Sequence, residues 1–131
     1  MNKSADPKQV IDRELHGLID QVDAAMGAIA VTTDGHLICR AERKEIPAKR
    51  LAAMGSTLMS LGNTITKELE MGKCRNVISD NEDGVVIFMQ ITAKTVLVVV
   101  SADRSALGML LSASRNCIEK IRTELNLETK E

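Results

Sequence analysis

Side chains able to act as nucleophiles, bases or soft metal ligands near neutral pH are few in this chain: two imidazoles, His16 and His36, and three thiols, Cys39, Cys74 and Cys117. Covalent catalysis needs a thiolate with a base beside it, and a zinc site needs ligands at short, fixed spacings. Neither pattern is present. No local spacing pairs a histidine with a cysteine or carboxylate, and the cysteines are odd in number, far apart and outside any C-x-x-C arrangement. Cys39 and Cys117 fall on apolar faces and read as small buried hydrophobes, whereas Cys74 falls in an accessible loop. A phosphate loop requires G-x-x-x-x-G-K-[ST]. Gly72-Lys73 is the nearest fragment, but Lys67 stands where the first glycine belongs and Cys74 where the hydroxyl belongs. Of the seven methionines, Met54, Met59, Met89 and Met109 lie in apolar patterns, which points to core packing rather than copper ligation. Glu68 and Glu70 lie on the polar side of a helical pattern and read as solvated. No catalytic residue, metal or cofactor is therefore expected, and function is assigned to surfaces rather than to an enzymatic site.

Composition narrows the partners. Seventeen basic and eighteen acidic residues give a net charge of -1, which creates no long-range field for a polyanion. With one Phe and no Trp or Tyr, stacking platforms for bases and aromatic cages are nearly excluded, so nucleic acid is not an expected partner. At 131 residues, 44% hydrophobic and 27% charged, the chain reads as one globular domain with an ordered core at about 7–125 and frayed ends. The opening MNKSADPKQV has no apolar core of a signal peptide, and no apolar run reaches membrane-spanning length. A cytoplasmic location without membrane insertion is expected.

The elements follow from punctuation and period. Asp6-Pro7 is a cap and first turn, and Ile11, Leu15, Leu18, Ile19 and Val22 form a one-sided stripe, so a first helix ends near Gln21. GAIAVTT and HLICRAE flank Thr33-Asp34-Gly35 as a hairpin, with Ile29 and Val31 on one face and the small Ala28 and Ala30 on the other. A long helix starts at Ile46-Pro47, with Pro47 at the first helical position, and ends near Gly72. The polar segment 75–80 reads as an edge strand. GVVIFMQIT and TVLVVVS do not alternate, so both faces of these central strands should be covered. A third helix spans 105–125. The order α-β-β-α-β-β-β-α describes an α/β layer sandwich with an antiparallel sheet.

The long helix is the most informative element, because its apolar side spans nearly half the circumference where packing on one core needs roughly a third. Leu51, Met54, Leu58, Leu61, Ile65 and Leu69 recur at three-and-four spacing, flanked by Ala48, Ala52, Gly55, Met59 and Gly62. The small margin should admit a second backbone, so the helix is expected to contact its own sheet and a copy of itself. Its entry is locally basic through Arg40, Arg43, Lys44, Lys49 and Arg50, interleaved with Glu42 and Glu45. Of these, Arg43, Lys44, Lys49 and Arg50 are candidates for contacting a protein partner.

The element order and three segments resemble the roadblock/dynein light chain family. GAIAVTTDGHLICR is similar to its first hairpin, LAAMGSTLMSLGNTI to its long central helix, and SADRSALGMLLSASRNCIEKI to its final strand-to-helix passage. The likeness covers roughly residues 8–125, and the longin and profilin folds share parts of it. The resemblance implies an α+β sandwich with a five-stranded antiparallel sheet in order 2-1-5-4-3, the long helix on one face and two helices on the other. It also implies a homodimer formed by antiparallel central helices and joined third strands. Leu51, Met54, Gly55, Leu58, Leu61, Gly62 and Ile65, with Asn76, Val77, Ile78 and Ser79, are expected to build that dimer. Gly55→Lys, or a charge at Leu58, should yield monomer or insoluble protein. The implied partner is a small Ras-like GTPase, whose hydrolysis the protein stimulates or which it scaffolds. The alternative is a nucleotide-insensitive adaptor in a signalling, motility or motor assembly. No small-molecule substrate is evident, and a sensor ranks below both because the aliphatic core lacks convergent polar groups. No arginine can be assigned as a finger for hydrolysis.

Overall fold

The structure is a computed structural model that describes residues 6–126; the frayed ends and the polar opening segment expected from sequence lie largely outside these described residues. Helix α1 (Pro7–Gln21) leads into strands β1 (Ala25–Thr32) and β2 (Leu37–Glu42), then helix α2 (Ala48–Glu68). Strands β3 (Asn76–Asn81), β4 (Gly84–Thr92) and β5 (Thr95–Ser101) follow, and a single 3-10 turn at Arg104–Ala106 introduces helix α3 (Leu107–Glu124). All neighbouring strands are antiparallel in the order β2-β1-β5-β4-β3, as the resemblance implied.

Each face of the sheet has its own core. On one face α1 and α3 lie side by side over Ala28, Ala30, Ile87, Met89, Leu97 and Val99. On the other, α2 covers Ile29, Val31, Phe88, Val96 and Val98. Strands β1, β4 and β5 are apolar on both sides for this reason, which accounts for their lack of alternation. Ala28 and Ala30 meet the paired helices, where small side chains leave room for two helices on one surface. Arg13 and Glu124 form an ion pair from α1 to α3 across the outside of that layer.

Several boundaries differ from expectation. Asp6 caps α1 by accepting a hydrogen bond from the Lys8 amide, but Pro47 sits just before α2 rather than in its first turn. Helix α2 also stops four residues short of Gly72. The Met71 amide donates to the Thr66 carbonyl at 2.8 Å and the Glu70 amide to Lys67 at 3.2 Å, a Schellman closure with Glu70 in the left-handed position at φ 54°. The sequence signal pointed to Gly72 because glycine is the usual occupant of that position. Of the methionines assigned to the core, Met59 and Met89 are buried, whereas Met54 and Met109 are exposed. Their periodicity places them on apolar stripes, but those stripes are wider than the sheet beneath.

A left-handed non-glycine residue costs roughly 1–2 kcal/mol, and glycine returns about 0.4–1 kcal/mol of that through the entropy of the unfolded chain. The exposed Glu70 is therefore expected to yield a more stable protein as Glu70→Gly, by about 0.5–1 kcal/mol. A urea-unfolding midpoint that fell instead of rising would show that the Glu70 side chain contributes more than its backbone costs.

Candidate functional site

Helix α2 carries two sets of apolar residues facing in different directions. Ala48, Ala52, Gly55 and Met59 recur every three or four positions, and all are buried. This stripe lies on the sheet. A Cβ placed on Gly55 would stand 3.1 Å from Val98 Cγ2 and 3.3 Å from Phe88 Cδ2, so the helix backbone approaches as closely as the missing side chain permits. Leu51 and Leu58 flank the stripe and are half-buried. Met54, Leu61 and Ile65 point away from the sheet with 50%, 54% and 50% of their surface exposed, and Leu69 and Met71 continue the exposure past the helix end.

This arrangement corrects two assignments. Gly55 and Gly62 were placed on the margin meeting a second copy, yet both serve contacts within the chain. A Cβ on Gly62 would come within 2.8 Å of Cys74 Sγ and 3.4 Å of Val77 Cγ2. The small residues let α2 descend onto bulky strand side chains, and the large residues are left outside. Gly55→Lys consequently tests the fold, because the lysine would be driven into Phe88 and Val98.

Strand β3 pairs only with β4 and forms one edge of the sheet. Directly opposed residues in an antiparallel pair share a face. Val77 opposite Phe88 and Ser79 opposite Val86 therefore face α2, whereas Asn76 opposite Met89 and Ile78 opposite Ile87 face the α1/α3 side. Ile78 is 39% exposed but does not extend the α2 strip, as its grouping with those residues had suggested. Near the far end, Arg104 donates to both Asp80 carboxylate oxygens, at 3.0 and 3.3 Å, and holds that carboxyl below its ordinary range.

The basic entry to α2 is not a uniform patch. Arg43 reaches across to the end of α1, where Nη1 donates to the carbonyls of Val22, Asp23 and Ala25 and Nη2 donates to that of Ile19. A cation bound to the carbonyl end of a helix is electrostatically favoured, and these bonds close the α1–β1 connection. Arg43 is thus engaged within the fold, although the residue is still exposed. Arg40 likewise holds Glu42, whose carboxylate also accepts from the Ile46 amide and is kept below its usual pKa by both contacts. Lys44, Lys49 and Arg50 remain exposed.

The thiols divide by burial. Desolvation pushes Cys117 up to about 12 and raises Cys39, so neither supplies a thiolate near neutral pH. Cys74 is half-buried beneath α2, with its amide donating to Asn63 Oδ1 at 2.9 Å. Glu14, on the α1–α3 seam, is raised by burial and by its contact with Glu124. Among the described residues no group of three or more His, Cys, Asp and Glu is placed to hold a metal, and no helix is long and apolar enough to cross a membrane.

A family model described as the Roadblock/LC7 domain matches residues 11–101. Comparison with curated proteins by sequence gave no match. Among solved structures, the chain is similar to a Roadblock/LC7 domain from Streptomyces avermitilis at 22% identity and TM-score 0.78, covering 87% of this chain and 96% of that one. It is similar to MglB from Myxococcus xanthus at 16% identity and TM-score 0.82, covering 94% and 92%. The gliding protein MglB from Thermus thermophilus aligns at 15% identity and TM-score 0.82, covering 93% of each chain. These similarities establish the fold.

Two outcomes follow from the placement of Arg43 and the thiols. Arg43→Ala should lower stability by about 2–3 kcal/mol through loss of charge-assisted bonds to the α1 carbonyls, with partial recovery in Arg43→Lys. An unchanged denaturation midpoint would show that water replaces the guanidinium without cost. In native protein at pH 8, a thiol reagent should modify Cys74 well ahead of Cys39 and Cys117, and all three together only after denaturation; rapid native labelling of Cys117 would contradict its burial.

Proposed function

From the premise that the chain belongs to the Roadblock/LC7 family, we propose that it is a non-enzymatic, cytoplasmic homodimer that binds a small Ras-like GTPase as its regulator or scaffold. The observation carrying this reading is the exposed strip of Met54, Leu61 and Ile65 on α2, continued by Leu69 just past its end, beside half-buried Leu51 and Leu58. Large apolar side chains grouped on one outer face mark an interaction surface. The unpaired edge of β3 lies beside the same helix, and a second copy would satisfy both features through one two-fold operation.

Magnitudes favour both features acting together. Covering the exposed half of each large side chain is worth about 1 kcal/mol, so the strips of two copies give on the order of 8–10 kcal/mol. Association itself costs roughly 4–15 kcal/mol in lost freedom. The strip alone supports a weak dimer; backbone pairing between two β3 edges, centred on Val77 to Ser79, supplies the remainder. Asn76, Val77, Ile78 and Ser79 then belong to the interface chiefly through their main chain.

The GTPase partner is supported by the family's association with small Ras-like GTPases. The gliding protein among the structural relatives supports a place in a motility or polarity system. With Arg43 bound to α1 carbonyls, the reading assigns no arginine finger to that residue, and regulation acts through the surface of the dimer.

The test has two arms. Sedimentation should find wild type dimeric and the doubly substituted Leu61→Lys, Ile65→Lys protein monomeric with unchanged circular dichroism; a dimeric variant removes the strip from the interface. Affinity capture from host lysate in excess GDP or a non-hydrolysable GTP analogue should recover a Ras-like protein in a nucleotide-dependent manner. Equal recovery in both states makes the protein an adaptor, and recovery of no GTPase overturns the partner assignment.

A further inference from the structure

A second surface lies away from the outer face of α2. Where β4 runs beyond the start of β3, the C-terminal half of α3 and the α2–β3 connection enclose an open cleft of about 960 Å³. Its floor is apolar, formed by Met89, Ile91 and the partly buried Ile118. Its rim carries Lys73 and Arg75 from the connection and Arg115 and Arg122 from α3, with Glu119 as the acidic group among the lining residues. Positions 115, 118, 119 and 122 fall on one face of α3, and tertiary packing brings the connection carrying Lys73 and Arg75 opposite them.

The charge is unbalanced where the chain as a whole is nearly neutral. Lys73, Arg75 and Arg115 enter none of the salt bridges among the described residues. Arg122 is anchored, donating from Nη1 to the Ile91 carbonyl at 2.8 Å, and Gln90 Nε2 donates to the Thr92 carbonyl at 2.6 Å. These side chains occupy carbonyls of the β4 segment that outruns β3, leaving the cleft to recognise charge and shape rather than to add a strand.

We propose that this cleft binds an extended acidic segment of a partner protein, with carboxylates on the Lys73, Arg75 and Arg115 rim and one aliphatic side chain on the Met89–Ile91–Ile118 floor. Carboxylates spaced along a peptide match cations spread around an open rim. A compact phosphate group calls for a different construction, a glycine-rich loop or a helix N-terminus aimed at one point. Here the loop segment 69–75 holds a single glycine, and none of the lining residues belongs to the first turn of a helix. The cleft adjoins the proposed dimer surface at Met71 and Asn76 but includes none of Met54, Leu61 and Ile65, and it does not rest on the GTPase reading.

The experiment is fluorescence anisotropy with a labelled peptide of alternating Asp and Glu around one central Leu, titrated with wild-type protein. Saturable binding that weakens as salt is raised is expected, and Lys73→Glu combined with Arg115→Glu should weaken it about tenfold. The control, Lys49→Glu combined with Arg50→Glu, imposes the same charge change elsewhere and should leave most of the affinity intact. Amide shifts of the wild-type protein with the same peptide should cluster at Ile91, Thr92 and the 73–76 segment, which keeps the test independent of the variants' folding. Lack of saturable binding, equal loss in both variants, shifts mapping elsewhere, or displacement by inorganic phosphate at equal anion charge would each overturn the proposal.

Discussion

Helix α2 reaches the sheet through its smallest residues, and the exposed surface of this protein follows from that contact. Val98 and Phe88 rise from the sheet beneath Gly55, so there is room for a backbone but not for another side chain. With Ala48, Ala52 and Gly55 turned downward, three-and-four spacing leaves Leu51 and Leu58 at the flanks and carries Met54, Leu61 and Ile65 outward. Close packing at one seam thus creates an apolar strip on another. A bulkier buried stripe would raise the helix and alter its fit to the sheet.

The opposite layer resolves a related problem by different means. Two helices share one face there, so the strand side chains beneath them include Ala28 and Ala30, and the helix ends are tied by polar contacts. Arg43 is the main example: its guanidinium spans the α1 carbonyl end and the following turn, connecting the loop before α2 to the start of β1. Through that clamp, the entry to α2 is fixed by the same residue that closes α1. The charge cluster therefore includes a hydrogen-bonded part, Arg40, Glu42 and Arg43, with Lys44 in the loop and Lys49 and Arg50 on α2 beside it.

The two surfaces to which function is proposed differ in chemistry. The outer face of α2 is aliphatic and adjoins an unpaired strand edge, which suits association with a self-complementary surface. The cleft beside α3 is basic at its rim and apolar at its floor, which suits a charged chain segment. Neither relies on aromatic anchors, since the chain has one Phe and it lies in the core. In the proposed symmetric dimer, avidity rather than one dominant contact would give such surfaces their strength.

The element order was legible in the sequence because period and punctuation are local properties. Asp6-Pro7, Thr33-Asp34-Gly35 and the continuous apolar runs of β4 and β5 each announce a structure through neighbouring residues, and the breadth of the α2 stripe could be read in the same way. The sheet order followed from family resemblance rather than from periodicity, which carries no information about which strands meet. Direction and distance belonged to the tertiary structure. Helical spacing places Gly55 and Leu61 on a broad apolar side but cannot say which one faces the sheet; that depended on Val98 and Phe88, more than thirty residues later in the chain. Separation in sequence likewise hid the contact of Arg43 with the end of α1 and the meeting of Lys73 and Arg75 with Arg115 and Arg122 in one cleft. Sequence determined the elements and their apolar faces, while the packing of distant side chains decided which groups were consumed by the fold and which were left for a partner.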